Sequence, residues 1–181
     1  MAERADWLSV DDARQLLEKH LAGSQKVLHC EVVAYIMLGI AAELKEGKEL
    51  WEIVALCHDL DEEQTKYERT KHGLLTADWL EGRLPLEALN AIRAHDHRTG
   101  FVANSTLALG LRLSDALAIA DQFAGRALIS GLADGTGQEH LRSALDSRPY
   151  LVPMILDISN QLQIDVGRLA DIVADAPHQN A

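Results

Sequence analysis

The chain has 181 residues, 48% hydrophobic but only 4% aromatic, with a formal net charge of −11 and a pI near 5.1. This length suffices for one domain with a substantial core, and an aliphatic core favours helices over a β-sandwich. The acidic balance argues against a nucleic-acid polymer as partner, because phosphate backbones are held by clustered Lys and Arg.

The N-terminal MAERADWLSV lacks a basic stretch followed by an apolar run, so no signal peptide is expected. Ser9, with Asp12 three residues on, reads as a helix start, and Ala13, Leu16, Leu17 and Leu21 follow at helical spacing until Gly23. Ser24 caps a longer predicted helix with a broad apolar face (Val27, Leu28, Val32, Ile36, Met37, Ile40) that ends near Gly47. His29, four residues before Val33, belongs to its inward side. A third helix spans Lys48 to His58, and the charged stretch 59–70 has no periodicity and reads as a loop. A fourth runs from about Gly73 to Leu80. Pro85 suits the first turn of a fifth, Leu86 to about His95, which the polar AHDHRTG closes. Ser105 caps a long run, Thr106 to Leu128, that contains Asp115. Residues 131–137 read as a flexible loop, Gln138 to Leu145 as a short helix, and Pro149 and Pro153 as brackets of a turn. Two more helical pieces follow, Met154 to about Leu162 and Val166 to Ala174, with Asp165 as cap.

No run shows a clean period of two, so the expected fold is all-α in a single domain. It is organised as an N-terminal helix (1–23), a core (24–130) and a C-terminal helical extension packed on it (131–181). No apolar stretch approaches the ~20 residues that span a bilayer. The expectations are therefore a cytoplasmic location, no membrane partner, and an oligomeric state open to a homodimer. Cys30 and Cys57 lack CxxC spacing, which points away from a disulfide scaffold or a thiolate zinc site. Both read as small core thiols.

The chemistry concentrates in His29, the adjacent pair His58-Asp59, and then His72, His95 and Asp115. Two different ligand atoms at one helix end can point into a cavity that other helices also reach. Nitrogen and oxygen donors of this kind suit a divalent Fe, Mn, Co, Ni or Zn ion. His97 reads as solvated or supporting, and His20, His140 and His178 as surface residues.

In that order, His29, His58-Asp59 and Asp115 resemble the H…HD…D signature of the HD-domain superfamily, over roughly residues 24–130. The flanks LWEIVALCHDLD, KHGLLTADWL, ALNAIRAHDH and LRLSDALAIAD are similar to the family's motif surroundings. The resemblance implies an HD-type helical bundle with two divalent metal ions. One would be held by His29, His58, Asp59 and Asp115, the other by His72 and His95, with Asp59 as the bridging, catalytic residue. A metal pair about 3.5–4 Å apart can hold a hydroxide and bind a phosphoryl oxygen together. The implied activity is therefore a phosphohydrolase acting on a small anionic phosphate ester or nucleotide. A di-iron oxygenase cleaving C–C or C–P bonds uses the same ligand set and is the alternative. The chain departs from the family's frequent HD-I-G-K at Asp61 and Glu62, and it lacks a GYP segment, which argues against cyclic-dinucleotide hydrolysis. Cations for the substrate must then come from elsewhere, with Lys26, Lys66, Lys71 and Arg98 as candidates.

Overall fold

The computed structural model describes residues 7–135 and 138–178; residues 136–137 of the expected loop and the side chain of His140 lie outside the described set. Among the described residues there are α-helices and short 3₁₀ turns, and no strand. The first helix, α1 (Val10–Leu21), opens with the expected capping box, in which the Ser9 side chain accepts from the Asp12 amide and the Asp12 carboxylate accepts from Ser9. Helix α2 (Gln25–Leu44) starts at Ser24 and stops three residues before Gly47, where Lys45 turns left-handed. Helix α3 (Lys48–Cys57) follows.

The stretch 59–70 is not the irregular loop its sequence suggested. It holds a one-turn helix, α4 (Glu62–Thr65), and a 3₁₀ turn, Arg69–Lys71. Helices α5 (Leu74–Trp79) and α6 (Leu86–Ala94) come next, with Pro85 as the N-cap of α6. A 3₁₀ turn at His97–Thr99 leads to α7 (Thr106–Ala124), capped by Ser105 as expected. The long run to Leu128 is cut at Gly125, where φ of 82° ends α7 and a separate helix, α8 (Arg126–Asp134), begins. Most of the expected 131–137 loop is thus the end of α8. After α9 (Gln138–Ala144), α10 (Leu151–Leu162) includes Pro153 at its third position, inside the first turn, where the missing N–H leaves no intrahelical bond unmade. Asp165 caps α11 (Val166–Ala174), as expected.

Helices α2, α3 and α7 form the centre, with α1 against α3, and α6 against α7 and α3. Helix α5 lies on α6, α10 on α7, and α11 on both α8 and α2. One hydrophobic cluster runs through all of these layers, from Leu8 to Ala176. Contrary to the sequence expectation, α2 is long and apolar enough to cross a bilayer by length and composition alone. In this fold its apolar surface is buried against α3, α7 and α11, with Val32, Val33, Ile36 and Ile40 fully enclosed.

Close approach of α3 to α7 depends on Gly110. A Cβ there would fall on the Trp51 ring, 2.7 Å from Cη2. Overpacking of this kind costs about 1–3 kcal/mol. Gly110→Ala is therefore expected to lower the unfolding free energy by that amount, read as a lower urea midpoint with an unchanged slope; a midpoint equal to wild type would show that the ring has room to move.

Candidate metal centre

Three of the candidate histidines stand at helix ends, and this fixes their rings. His58 is the C-cap of α3 and His95 the C-cap of α6. Each lies within 2.7 Å, through Nδ1, of a carbonyl three residues back, Ala55 O and Ile92 O respectively. Carbonyls of a last helical turn have no partner within the helix, so each accepts the ring's Nδ1–H and leaves Nε2 as the bare nitrogen. His72 caps the 3₁₀ turn, and its Nδ1 lies 2.9 Å from Asp61 Oδ1. Gly73 makes the next step possible. Its φ is +79°, and a Cβ would sit 2.7 Å from Ile92 O and 2.8 Å from His95 Cε1. Only glycine lets the start of α5 lie against the end of α6, bringing His72 beside His95 with ring centroids 4.8 Å apart.

All six expected ligands come together around Asp59, the residue after His58, which is only 2% exposed. Asp59 Oδ1 lies 2.9 Å from His72 Nε2, 3.4 Å from His58 Nε2 and 3.5 Å from His95 Nε2. Asp59 Oδ2 is 3.8 Å from His29 Nε2. Asp115, in the middle of α7, places Oδ1 3.0 Å from His29 Nε2 and 3.9 Å from His58 Nε2. The His29 and His58 rings are 5.6 Å apart, within reach of a shared ion. Among the described residues, two groups have donor atoms close enough to hold a metal, His29–His58–Asp59 and Asp59–His72–His95, and Asp59 belongs to both. His58 Nε2 is buried and has no hydrogen-bond partner among the described residues. An orphaned buried nitrogen aimed at two carboxylates fits a divalent cation, because such a group otherwise carries its full desolvation cost.

The electrostatics follow from the packing. Burial pushes the His58 imidazole down to about 4, so it is neutral and able to donate a lone pair at pH 7. Burial would also lower His72, but its hydrogen bonds to Asp59 and Asp61 outweigh this and raise it to about 10. Burial would raise Asp59; the His58 ring, the Lys26 ammonium and the hydrogen bond from His72 hold it well below the usual carboxylate range instead. Lys26, one turn before His29, donates to Asp59 Oδ2 at 2.6 Å and is shifted upward by Asp59, Glu62 and Asp115 despite the opposing effect of burial. Lys26 and the His72 imidazolium both pair with Asp59.

A cleft with a cavity volume of about 90 Å³ opens onto Asp59, His72, His95 and Asp115. Of the four cations expected from sequence, Lys26 and Arg98 line it. Lys66 and Lys71 do not; each is about half exposed and pairs with its own neighbour, Glu63 at 3.2 Å and Glu68 at 2.9 Å. Two lining cations were missed, Arg69 and Arg112, together with Tyr150 on the wall. Arg112 shares a helical stripe with Asp115, Ala116 and Ile119, a spacing visible in sequence once Asp115 is placed. It makes no ion pair among the described residues, and its buried Nε has no hydrogen-bond partner. His97, largely exposed, also lines the cleft, its ring 5.9 Å from that of Tyr150. His20 stacks on Trp79 and His178 lies near Arg126, both away from the cleft. Both thiols are buried; burial raises Cys57 to about 12, consistent with a core role.

A family model described as HD domain matches residues 27–120, just over half of the chain, and that span contains all six candidate ligands. No curated protein and no solved structure matches the chain.

Proposed function

Because the chain belongs to the HD-domain family, we propose that it is a metal-dependent phosphohydrolase acting on a small phosphate ester or nucleotide, with two divalent ions in the cleft. The observation that carries this reading is the sharing of Asp59 between two buried ligand groups, with an unpartnered His58 Nε2 between its two carboxylate neighbours. His29, His58, Asp59 and Asp115 would hold one ion, and Asp59, His72 and His95 the other. Bound there, the ions would supply a water nucleophile at neutral pH and neutralise phosphoryl charge.

The chain's own residues do the rest. Asp59 and Asp115 offset metal charge and, together with the fixed imidazoles, keep the donor set rigid. Lys26, which donates to Asp59 Oδ2 at 2.6 Å and lines the cleft, would share that oxygen with an ion and offer its ammonium to an anionic substrate. Arg69 is held by Glu62 at 2.8 Å and Arg98 by Asp96, so both are oriented but partly neutralised. Arg112 makes no ion pair among the described residues, so its charge is available to an anion in the cleft. A cationic wall of this kind in a protein of net charge −11 selects an anionic substrate by local rather than overall charge.

The test is an anaerobic assay of protein reconstituted with Mn²⁺, Co²⁺ or Ni²⁺ over a panel of phosphomonoesters and nucleotides. Inorganic phosphate is the expected product, without any need for O₂. Turnover seen only with iron and O₂, on phosphonates or polyols, would reject hydrolysis in favour of oxygenation.

A further inference from the structure

We infer that Asp61, standing where the family's frequent motif has glycine, is the positioning residue of the second metal position. Its buried carboxylate fixes which nitrogen of His72 faces Asp59. The inference rests on the two-metal reading above and adds the residue that makes the His72 half of it work.

Asp61 is completely buried, and both of its carboxylate oxygens are used. Oδ2 accepts from the Gly73 amide at 2.7 Å and the Thr76 amide at 3.1 Å. Oδ1 lies 2.9 Å from His72 Nδ1. The Asp61 backbone is locked as well: its N–H donates to Thr76 Oγ1 at 3.1 Å, and its carbonyl accepts from Thr65 Oγ1 at 2.8 Å. The need for this arrangement originates at Gly73. Glycine is required at the start of α5 by its positive φ and the nearby His95 ring, and it has no side chain with which to cap the helix. Asp61 supplies the acceptor for those amides from twelve residues away.

The consequence for His72 is a matter of donors and acceptors. Two backbone amides can only donate, so Oδ2 must be a bare oxygen, and Oδ1 then accepts from Nδ1–H. A ring donating from Nδ1 to a carboxylate presents Nε2 to Asp59 Oδ1, 2.9 Å away, as the nitrogen that a metal can take. Asn at this position has one acceptor and one donor group. Its oxygen is claimed by the two amides, which leaves its NH₂ facing Nδ1. A ring that keeps its Nδ1 proton meets that NH₂ head on and has only the Thr65 hydroxyl, 3.1 Å from Nδ1, to accept it; moving the proton to Nε2 relieves the conflict at the atom meant for the metal.

Asp61→Asn is therefore expected to keep the fold and the first metal position while weakening the second by 10–100-fold, the range seen when a ligand histidine loses its carboxylate partner. Metal titration with Mn²⁺, by calorimetry with elemental analysis, reads this directly. On a His72→Ala background, Asp61→Asn should leave metal binding unchanged while still lowering the melting temperature. That separates a role acting through His72 from one acting only on α5. Nitrogen-15 NMR of the zinc-loaded wild type needs no variant, and a protected Nδ1–H with Nε2 on the metal is expected for His72. Two ions bound with unchanged affinity in Asp61→Asn, or zinc on Nδ1 of His72, would overturn the inference alone. A wild-type chain that takes up a single ion would instead overturn the two-metal reading beneath it.

Discussion

Asp59→Ala is expected to empty both metal positions and lower turnover by on the order of 10³-fold or more, since losing one preorganised charge-stabilising group alone costs 10²–10³. Asp59 is the one side chain that belongs to both ligand groups, and neither retains a balancing carboxylate in the same place without it. The metal-free protein should suffer too. Removing this carboxylate leaves the Lys26 ammonium and His72 buried without their shared partner, and breaking a buried pair costs about 3–5 kcal/mol. Asp59→Asn preserves shape and separates the two effects, because it should fold better than the Ala variant yet still fail to retain metal. Elemental analysis beside thermal melts checks both. Full occupancy in either variant would remove Asp59 from the bridging role.

The second large effect is on the pH dependence of metal uptake. His72 is raised to about 10 by Asp59 and Asp61 against the opposing effect of burial, so at neutral pH it carries a proton that an incoming ion must displace. Protonated ring competes with metal, and that competition weakens as pH rises. Affinity of the second position should therefore increase about tenfold per pH unit across the neutral range and level off near 10. His58 lies at about 4 and is already neutral there, so its competition with an ion on the His29 side contributes no slope above pH 5. Calorimetry in buffers of different ionisation enthalpy counts the protons released. His72→Ala should bind one ion instead of two and lose this pH dependence, with helix content unchanged. A slope that survives the substitution would place the titrating group elsewhere.

Much of the scaffold was legible because its signals are local. Ser9 with Asp12, Ser24, Ser105 and Asp165 all cap helices through residues two or three positions away, which a sequence displays directly. The stretch 59–70 was misread as a loop for the opposite reason. Its order comes from Asp61 reaching Gly73 and Thr76, and from Arg69 pairing with Glu62, contacts that no period reveals. Gly125 divided a run whose apolar pattern continued past it, because a positive φ ends a helix even where apolar spacing persists. At the site, the residues that meet in the buried His/Asp cluster were recognisable by order and flanking text. Their supporting shell was not: His58 and His95 are oriented by backbone carbonyls, which have no residue signature. The cleft cations divide the same way. Lys66 and Lys71 are near His72 in sequence but lie outside the cleft, whereas Arg112 is distant in sequence and enters it through the face of α7.

The central claim is a pair of metal positions sharing Asp59, and metal stoichiometry tests it most directly. The chain should be reconstituted with Mn²⁺ or Co²⁺, freed of loose metal by gel filtration, and analysed for ions per folded chain. Two per chain in wild type, falling to one in His72→Ala and to none in Asp59→Ala, is the expected series. A folded wild-type chain that retains no ion, or the same number in all three proteins, would contradict it.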